Sequence, residues 1–234
     1  MTAQSIASSV ARSVSQSVAG IGSGGGGPVV PTIEFVASTI KGGSQTIATT
    51  DAIDTTGADL LIAASSYYDG VGAVVDSKGN TWTKLTEYTQ DTQIAAIWYC
   101  YPTSVGAGHT VSQNAGSYSS VALYAFKNCL PAGYDKQSGA TNAAATTLAA
   151  GSLTPSLPNS LVFTLLANYT NEVAPTYPSG FTGGLWAPAN SGYSLALGCA
   201  YKILTDGEAV NPSWLWPTAT LCVVADAIFK PQNS

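Results

Sequence analysis

The side chains that could support acid–base chemistry are one histidine and thirteen scattered acids. A Ser-His-Asp triad would have to use His109, because it is the single histidine of the chain. No serine lies in the G-x-S-x-G pattern of a nucleophile elbow. His109 follows two glycines and opens a predicted strand, so we expect it to hold a structural position and not a catalytic one.

Pairs of carboxylates could hydrolyse glycosidic bonds, but most acids of this chain fall at predicted turns and strand ends. Aspartate is common there because it accepts hydrogen bonds from backbone amides. Asp226 differs, since it lies in an apolar strand on the face opposite Val223 and Ala225. A buried acid without a partner costs free energy, so we expect Asp226 on an outward-facing edge. We expect no enzymatic activity, with a glycan-degrading enzyme as the weaker alternative.

Metal and cofactor sites are not indicated by the sequence. The segment Asp76–Asn80 is rich in oxygen atoms but lacks the spaced acids of an EF-hand, which favours a tight turn held by hydrogen bonds of its asparagine. The cysteines have no C-x-x-C spacing, so a zinc site is not expected. We expect free buried thiols, with a disulfide as the weaker alternative, at Cys100, Cys129, Cys199 and Cys222.

The composition excludes several classes of protein. Only 9% of the residues are charged, the formal net charge is −5 and no basic cluster occurs, so binding to nucleic-acid phosphates is not expected. No apolar run reaches the length of about 18 residues needed to span a membrane. The N-terminus lacks the apolar region of a secretory signal. We therefore expect synthesis in a cytoplasm, without nucleic-acid or membrane partners.

Apolar and polar residues alternate in several segments, for example in Ser160–Tyr169 and Ala219–Lys230. This alternation predicts an all-β, antiparallel β-sandwich, which we expect to be jelly-roll-like, over residues 32–234. The Gly79-Asn80 turn predicts a β-hairpin between Ala73–Asp76 and the strand that begins near Trp82. The segment Asn128–Ser152, rich in Gly, Ala and Thr, is expected to be a crossing between strands.

The chain has an internal similarity with a spacing of about 100 residues. Four short segments in the first half resemble four segments in the second half, in the same order, at offsets of 101, 100, 99 and 103 residues. These offsets predict two similar halves. The halves could be the two sheets of one sandwich or two small sandwiches in tandem, and we favour one domain. The matched segments are Asp59–Ile62 with Ser160–Phe163, Ile97–Tyr101 with Leu197–Tyr201, Gly108–Val111 with Gly207–Val210, and Ala125–Lys127 with Ile228–Lys230.

Residues 1–31 differ from the rest of the chain and are predicted to form an N-terminal docking arm, which ends in the flexible linker Gly20–Gly27. Four apolar residues recur every four positions, and they share one face in either a helix or a strand. The arm is therefore expected to be helical or extended against a partner, with a disordered tail as the alternative. The residues predicted to contact the partner are Ile6, Val10, Val14 and Val18.

Aromatic residues at predicted strand ends and in loops rich in Pro and Gly are a second candidate for binding. Exposed rings there could stack on sugars or fill a subunit interface, whereas the structural alternative is that they cap the ends of the core. The candidates are Tyr67, Tyr68, Tyr177, Trp186, Trp214 and Trp216.

The motifs Asp54–Leu61, Asp76–Trp82 and Gly108–Val111 resemble a β-sandwich domain that recurs in accessory virion proteins of tailed bacteriophages and in some bacterial surface proteins. The resemblance covers Thr32 to Pro231. It implies a structural or adhesive domain, with no catalytic residues, behind an N-terminal segment that docks on the particle.

This resemblance implies a capsid decoration protein, a head fibre or a tail component of the virion. The expected partners are other virion proteins of the capsid or the tail, and the chain is expected to form a homo-oligomer, for example a trimer. The location would be the virion, assembled in the host cytoplasm. The alternative function is a non-catalytic carbohydrate-binding module that recognises a host surface glycan.

Overall fold

The computed structural model describes residues 31–42, 47–114, 117–169, 173–188 and 195–232. These residues contain fourteen β-strands and no helix. The predicted all-β class is therefore confirmed. The docking candidates Ile6, Val10, Val14 and Val18 lie outside these ranges. In chain order the strands are β1 (Glu34–Gly42), β2 (Ala48–Thr49), β3 (Leu60–Tyr68), β4 (Val74–Asp76), β5 (Thr83–Lys84), β6 (Tyr88–Gln90), β7 (Gln93–Cys100), β8 (Val111–Gln113), β9 (Ser117–Lys127), β10 (Cys129–Ala149), β11 (Leu161–Asn168), β12 (Thr182–Ala187), β13 (Ala196–Ile203) and β14 (Ser213–Pro231).

The strands form two large antiparallel sheets and one small sheet. The first large sheet has the order β1-β9-β3-β7-β5, with β6 also paired to β7, and the second has the order β10-β14-β11-β13-β12. Each large sheet takes its strands from one contiguous half of the chain, which passes between them once, from Lys127 to Cys129. The predicted jelly-roll-like connection is therefore wrong, because a jelly roll interleaves its strands between both sheets.

The two large sheets are equivalent strand by strand. The strands β1, β9, β3, β7 and β5 of the first sheet match β10, β14, β11, β13 and β12 of the second. The register matches as well, because Leu61 pairs with Ala125 and its counterpart Val162 pairs with Ile228. The similar halves of the sequence are therefore the two sheets of one sandwich.

The main core lies between the sheets, because alternation along each strand directs every second side chain inward. Tyr124 of β9 lies in this core, edge-on to Phe163 of β11 with 5.1 Å between ring centroids. Its hydroxyl group lies 2.7 Å from the carbonyl oxygen of Gly183 in β12. One buried side chain of the first sheet is thus hydrogen-bonded to the second sheet.

A small three-stranded sheet, β2-β8-β4, covers the outer face of the first large sheet. Val74 and Val111 of the small sheet are buried with Leu61, Leu123 and Trp98 of the large sheet. The predicted hairpin around the Gly79-Asn80 turn is wrong, because β4 pairs with β8 whereas β5 pairs with β7. The turn carries the chain from the small sheet into the large sheet.

The C-terminal end of β10 and the N-terminal end of β14, which pair with each other, cover the outer face of the second large sheet. Val224 pairs with Leu166 of β11, and a straight strand would place Trp214, ten residues earlier, about 30 Å beyond it. Trp214 Nε1 instead donates to Thr164 Oγ1 of β11, at 2.9 Å, so β14 must fold back over its own sheet.

The predicted crossing Asn128–Ser152 is wrong, because most of it is the 21-residue strand β10. Its small residues carry no alternation signal, and pairing with β14 determines its conformation. The structure contains no helix, among the residues it describes, that is long and apolar enough to cross a membrane.

Candidate functional site

A hydroxyl group, an imidazole and a carboxylate meet beneath the small sheet. The Thr55 hydroxyl oxygen lies 2.8 Å from His109 Nδ1, and Asp76 Oδ2 lies 3.2 Å from His109 Nε2. The second distance fits an electrostatic contact, because the Nε2 group does not make a well-directed hydrogen bond. The three residue types are those of a hydrolytic triad, so the cluster is the first candidate for chemistry.

Burial prevents this cluster from acting on a substrate. The side chains of His109 and Asp76 have no solvent exposure, and Thr55 is equally buried. The Thr55 oxygen also accepts a hydrogen bond from the backbone N–H of Gly106, at 3.1 Å. The backbone of His109 pairs with Ile53 in both directions, at 2.9 and 3.0 Å. The cluster therefore fastens the loops before β3 and β8 to the turn after β4.

Asp76 is the centre of this cluster. Its Oδ1 atom accepts hydrogen bonds from the backbone N–H groups of Lys78 and Asn80, both at 3.0 Å. Its Oδ2 atom accepts from Asn80 Nδ2 at 2.9 Å and from Trp82 Nε1 at 3.1 Å. Burial alone would raise the pKa of Asp76, but the hydrogen bonds from Asn80 and the His109 contact outweigh it, and the pKa is lowered. Asp76 is therefore a fully engaged carboxylate.

The predicted tight turn held by asparagine is present after β4. Asn80 Oδ1 accepts hydrogen bonds from the backbone N–H groups of Thr103 and Ser104, at 2.9 and 3.0 Å. Sequence reasoning did not foresee the contact between Asp76 and His109. The bridge of His109 with Ile53 has a counterpart in the bridge of Val210 with Leu153 in the second half. The matched segments of the sequence place Glu208 opposite His109, two residues before Val210, so they indicated a structural position without its exact register.

The expectation that Asp226 lies on an outward-facing edge is wrong. Asp226 is 1% exposed, and its strand β14 lies between β10 and β11. Its neighbours in the two flanking strands are Ser138 and Thr164. Among the described residues, no well-directed hydrogen bond reaches either carboxylate oxygen or the buried Ser138 hydroxyl.

Burial raises the pKa of Asp226 to about 8, although the nearby Thr164 hydroxyl opposes part of this rise. The side chain is therefore mostly protonated and neutral at pH 7. This explains how an acid occupies an apolar strand, because a neutral carboxyl group costs much less free energy to bury than a carboxylate.

The six predicted aromatic residues do not form one surface. Tyr67, Trp214 and Trp216 are buried, so their rings are closed to a ligand in this fold. Each has a hydrogen-bond partner, namely Glu87 Oε2 at 3.0 Å for Tyr67, Thr164 Oγ1 at 2.9 Å for Trp214, and the Ala145 carbonyl at 2.7 Å for Trp216. The half-buried members are Tyr68, Tyr177 and Trp186.

Two neighbouring grooves mark the outer surface of the second half. The larger, which we call the Lys202 groove, has a volume of ≈650 Å³ and is lined by segments 176–181 and 209–215 and by Lys202. The smaller has a volume of ≈470 Å³ and includes Trp216. Both grooves include Thr176 and Leu215, whose backbones are bridged by a 2.8 Å hydrogen bond. This bridge forms the ridge between the grooves.

Each groove contains one of the predicted aromatic residues. Tyr177 lines the Lys202 groove, and its ring centroid lies 5.4 Å from that of Trp214 beneath. Trp216 contributes to the smaller groove while remaining 4% exposed. The ridge residue Leu215 is 48% exposed. These grooves are concave surfaces of a size that can hold a ligand.

The four cysteines are free and buried. Burial raises the pKa of the Cys100 thiol to about 12 and that of the Cys222 thiol to about 11. It also raises the pKa values of Cys129 and Cys199. All four are therefore protonated at neutral pH and unreactive as nucleophiles.

No group of three His, Cys, Asp or Glu side chains that could hold a metal ion occurs within the described ranges. Comparison of the chain with protein-family models, with curated proteins and with solved structures found no match.

Proposed function

We propose that the chain is a structural virion protein of a tailed bacteriophage, which docks on the capsid or the tail through residues 1–31 and displays the β-sandwich. The observation that carries this proposal is that residues of the three resembling motifs hold the fold together through buried contacts. Thr55, Asp76, Asn80 and His109 belong to the three segments that resemble phage accessory proteins, and all four are used to hold the fold together. This use supports a display domain and not a catalyst.

The anchored start of the domain also supports a docking arm. The Thr32 carbonyl accepts a hydrogen bond from Asn128 Nδ2, at 2.8 Å. Asp59 accepts hydrogen bonds from the backbone N–H groups of Asn128 and Cys129, at 2.7 and 2.9 Å. The chain thus enters the sandwich at the junction of its two halves, where a pull on the arm would be shared by both sheets.

Deletion of residues 1–27 tests the proposal. The shortened chain should keep the far-ultraviolet circular dichroism and the thermal midpoint of the full chain, but it should no longer cosediment with purified phage particles. Separate incubation with isolated capsids and isolated tails identifies the docking partner. Undiminished binding by the shortened chain would remove the arm from the proposal.

The oligomeric state follows from the same proposal, because docking sites on particles are commonly repeated by symmetry. We expect the full chain to form a homo-oligomer, for example a trimer. Sedimentation equilibrium of the full and shortened chains measures the molar mass of each. A monomer at all concentrations would contradict this expectation.

Recognition of a host surface glycan is a second candidate function, and the two grooves beside Tyr177 and Leu215 favour it. Both grooves lie on one outer surface, and their linings mix apolar residues with hydroxyl-bearing residues, as sugar-binding sites do.

Leu215→Arg should block both grooves, because Leu215 stands between them. Val75→Arg is the matched control, since Val75 is 45% exposed on the outer surface of the first half. Equal glycan-array signals for both variants and the parent would count against this function.

A further inference from the structure

Lys202 lines the larger groove and lacks the kinds of partner that most other lysines of the chain have. Lys41, Lys84 and Lys127 each have a carboxylate partner, at 3.3, 2.7 and 2.7 Å respectively. Lys78 and Lys136 each donate to a backbone carbonyl, at 2.8 and 2.6 Å. Among the described residues Lys202 and Lys230 have neither kind of partner, and of these two it is Lys202 that lines the groove. An ammonium group without an acidic partner among the described residues is free to pair with an anion that enters the groove.

The Lys202 ammonium group lies in the wall of the groove, next to Gly180. Gly180 belongs to the segment 176–181 and has a φ of +76°. A Cβ atom added to Gly180 would lie 3.5 Å from Lys202 Nζ, so the absence of a side chain there leaves the ammonium group uncovered. A non-glycine residue would also be strained at this φ.

The rest of the lining adds neutral hydrogen-bonding groups and a ring. Ser179, Asn211 and Ser213 supply hydroxyl and amide groups, and Tyr177 supplies an aromatic ring. None of the described residues that line the groove is an acid, although acids outnumber basic residues in the chain, which carries a formal net charge of −5. The local charge is therefore opposite in sign to that of the whole protein.

We propose that the Lys202 groove binds an acidic saccharide, whose carboxylate pairs with the Lys202 ammonium group. The hydroxyl groups of the sugar bond to Ser179, Asn211 and Ser213, and its ring lies against Tyr177. A volume of ≈650 Å³ is within the range of small-ligand sites, about 300–1,000 Å³. The inference rests on the second candidate function above and names the chemical class of its ligand.

The neighbouring groove extends this site. Because the two grooves meet at Leu215 and Thr176, a saccharide chain seated at Lys202 can continue across the ridge into the groove of ≈470 Å³ beside Trp216. None of the described residues that line the second groove is basic. It therefore accommodates a neutral or weakly polar sugar unit next to the acidic one.

The test is isothermal titration of the full chain with tetragalacturonate and with its methyl ester, which has the same skeleton without the charge. We expect the wild-type chain to bind the acid about 10-fold more tightly than the ester, with the difference shrinking as the salt concentration rises. Lys202→Gln should remove this preference and leave binding of the ester unchanged. Lys202→Arg should retain most of it. Lys41→Gln is the charge-matched control on the first sheet and should behave as wild type.

Equal affinities of the wild-type chain for the acid and the ester would overturn the acidic class while leaving saccharide binding in place. A preference for the acid that survives in Lys202→Gln would overturn the role of Lys202. Failure to bind either probe would overturn the acidic-saccharide site, whereas the glycan array with Leu215→Arg tests the second candidate function separately. None of these results bears on docking through residues 1–31, which the particle assay measures separately.

Discussion

The two halves of the chain build the same sheet and cover it in different ways. In the first half, a separate small sheet lies over the outer face and is fixed by the cluster of Thr55, His109 and Asp76. In the second half, the folded-back end of β14 lies over the equivalent face and is fixed by Trp214. Sheet pairing is thus common to both halves, whereas the covers differ. The grooves lie on the second cover. The candidate site is therefore on a part of the surface where the two halves differ.

Each half of the chain also buries one carboxyl group, and the two groups have opposite character. Asp76 is surrounded by donors and its pKa is lowered. Asp226 has no well-directed donor among the described residues and its pKa is raised to about 8. Asp76 is therefore buried as an anion and Asp226 as a neutral acid. The difference shows that burial alone does not determine the charge of an acid, because the number of donors decides it.

Removal of the first carboxylate should have the largest effect. Asp76→Ala leaves the Trp82 and Asn80 donors without their acceptor and the buried His109 ring without its carboxylate contact, so we expect a loss of about 3–5 kcal/mol in the free energy of unfolding. Urea unfolding of the full chain at pH 7 measures it. Asp54→Ala is the control, because Asp54 is an exposed acid of the same half that accepts hydrogen bonds only from Thr56. Losses of similar size for the two variants would contradict the central place of Asp76.

The second carboxyl group should make stability depend on pH. The folded pKa of Asp226, about 8, lies above its value of 3.8 in the absence of shifts, so between these values the unfolded chain releases a proton that the folded chain keeps. The free energy of unfolding should therefore fall with rising pH, by about 1.4 kcal/mol per pH unit from this group. Between pH 5 and pH 7 the loss is about 3 kcal/mol.

Asp226→Asn should remove this slope, because an amide does not ionise. Urea unfolding at pH 5, 6 and 7 compares the variant with the wild type and with Asp206→Asn, an exposed acid of the same half. We expect Asp206→Asn to keep the wild-type slope. An unchanged slope in Asp226→Asn would show that Asp226 is ionised in the folded chain.

The link between the halves should contribute less. Tyr124→Phe removes the hydroxyl group that bonds to the Gly183 carbonyl of the opposite sheet and leaves the ring in the core. The expected loss in the free energy of unfolding is about 1 kcal/mol. Chemical denaturation followed by tryptophan fluorescence measures it. A gain in stability would mean that this hydrogen bond does not hold the sheets together.

Substitution on the outer surface should have the smallest effect on stability. Leu215→Arg and Val75→Arg each replace an exposed apolar residue, one on each cover, and each should change the free energy of unfolding by less than about 0.5 kcal/mol. Thermal unfolding of the two variants checks this. A large loss for Leu215→Arg alone would show that Leu215 supports the second cover, and its use as a blocking variant would then fail.

The sequence predicts the apolar strands of the two large sheets and misses strands that are rich in small residues. The alternation in Ser160–Tyr169 predicts β11, although all eight residues of β11 are buried because the sheet is covered on both faces. β10 and β12 are missed, since their Ala, Thr and Gly residues have too little apolar contrast. Pairing with β14 and β13 determines these strands, and that information is not local.

The two buried carboxyl groups show that the contacts of the site depend, like these strands, on information that is not local in the sequence. The turn after Asp76 is predictable from Asn80 and Gly79, whereas the approach of His109, 33 residues later in sequence, depends on the pairing of β4 with β8. For Asp226, the rule that a lone acid avoids burial gives the wrong position. The acid is buried because it can take up a proton, and only its surroundings in the folded chain determine that pKa.

The most direct test of the proposed function is cosedimentation of two complementary pieces with phage particles. One piece is the chain lacking residues 1–27, and the other is residues 1–31 fused to an unrelated fluorescent carrier. We predict that the fused arm binds the particles and competes with the full chain, whereas the shortened chain stays in solution. Binding of the shortened chain together with failure of the fused arm would contradict the account, and would move the docking surface to the sandwich.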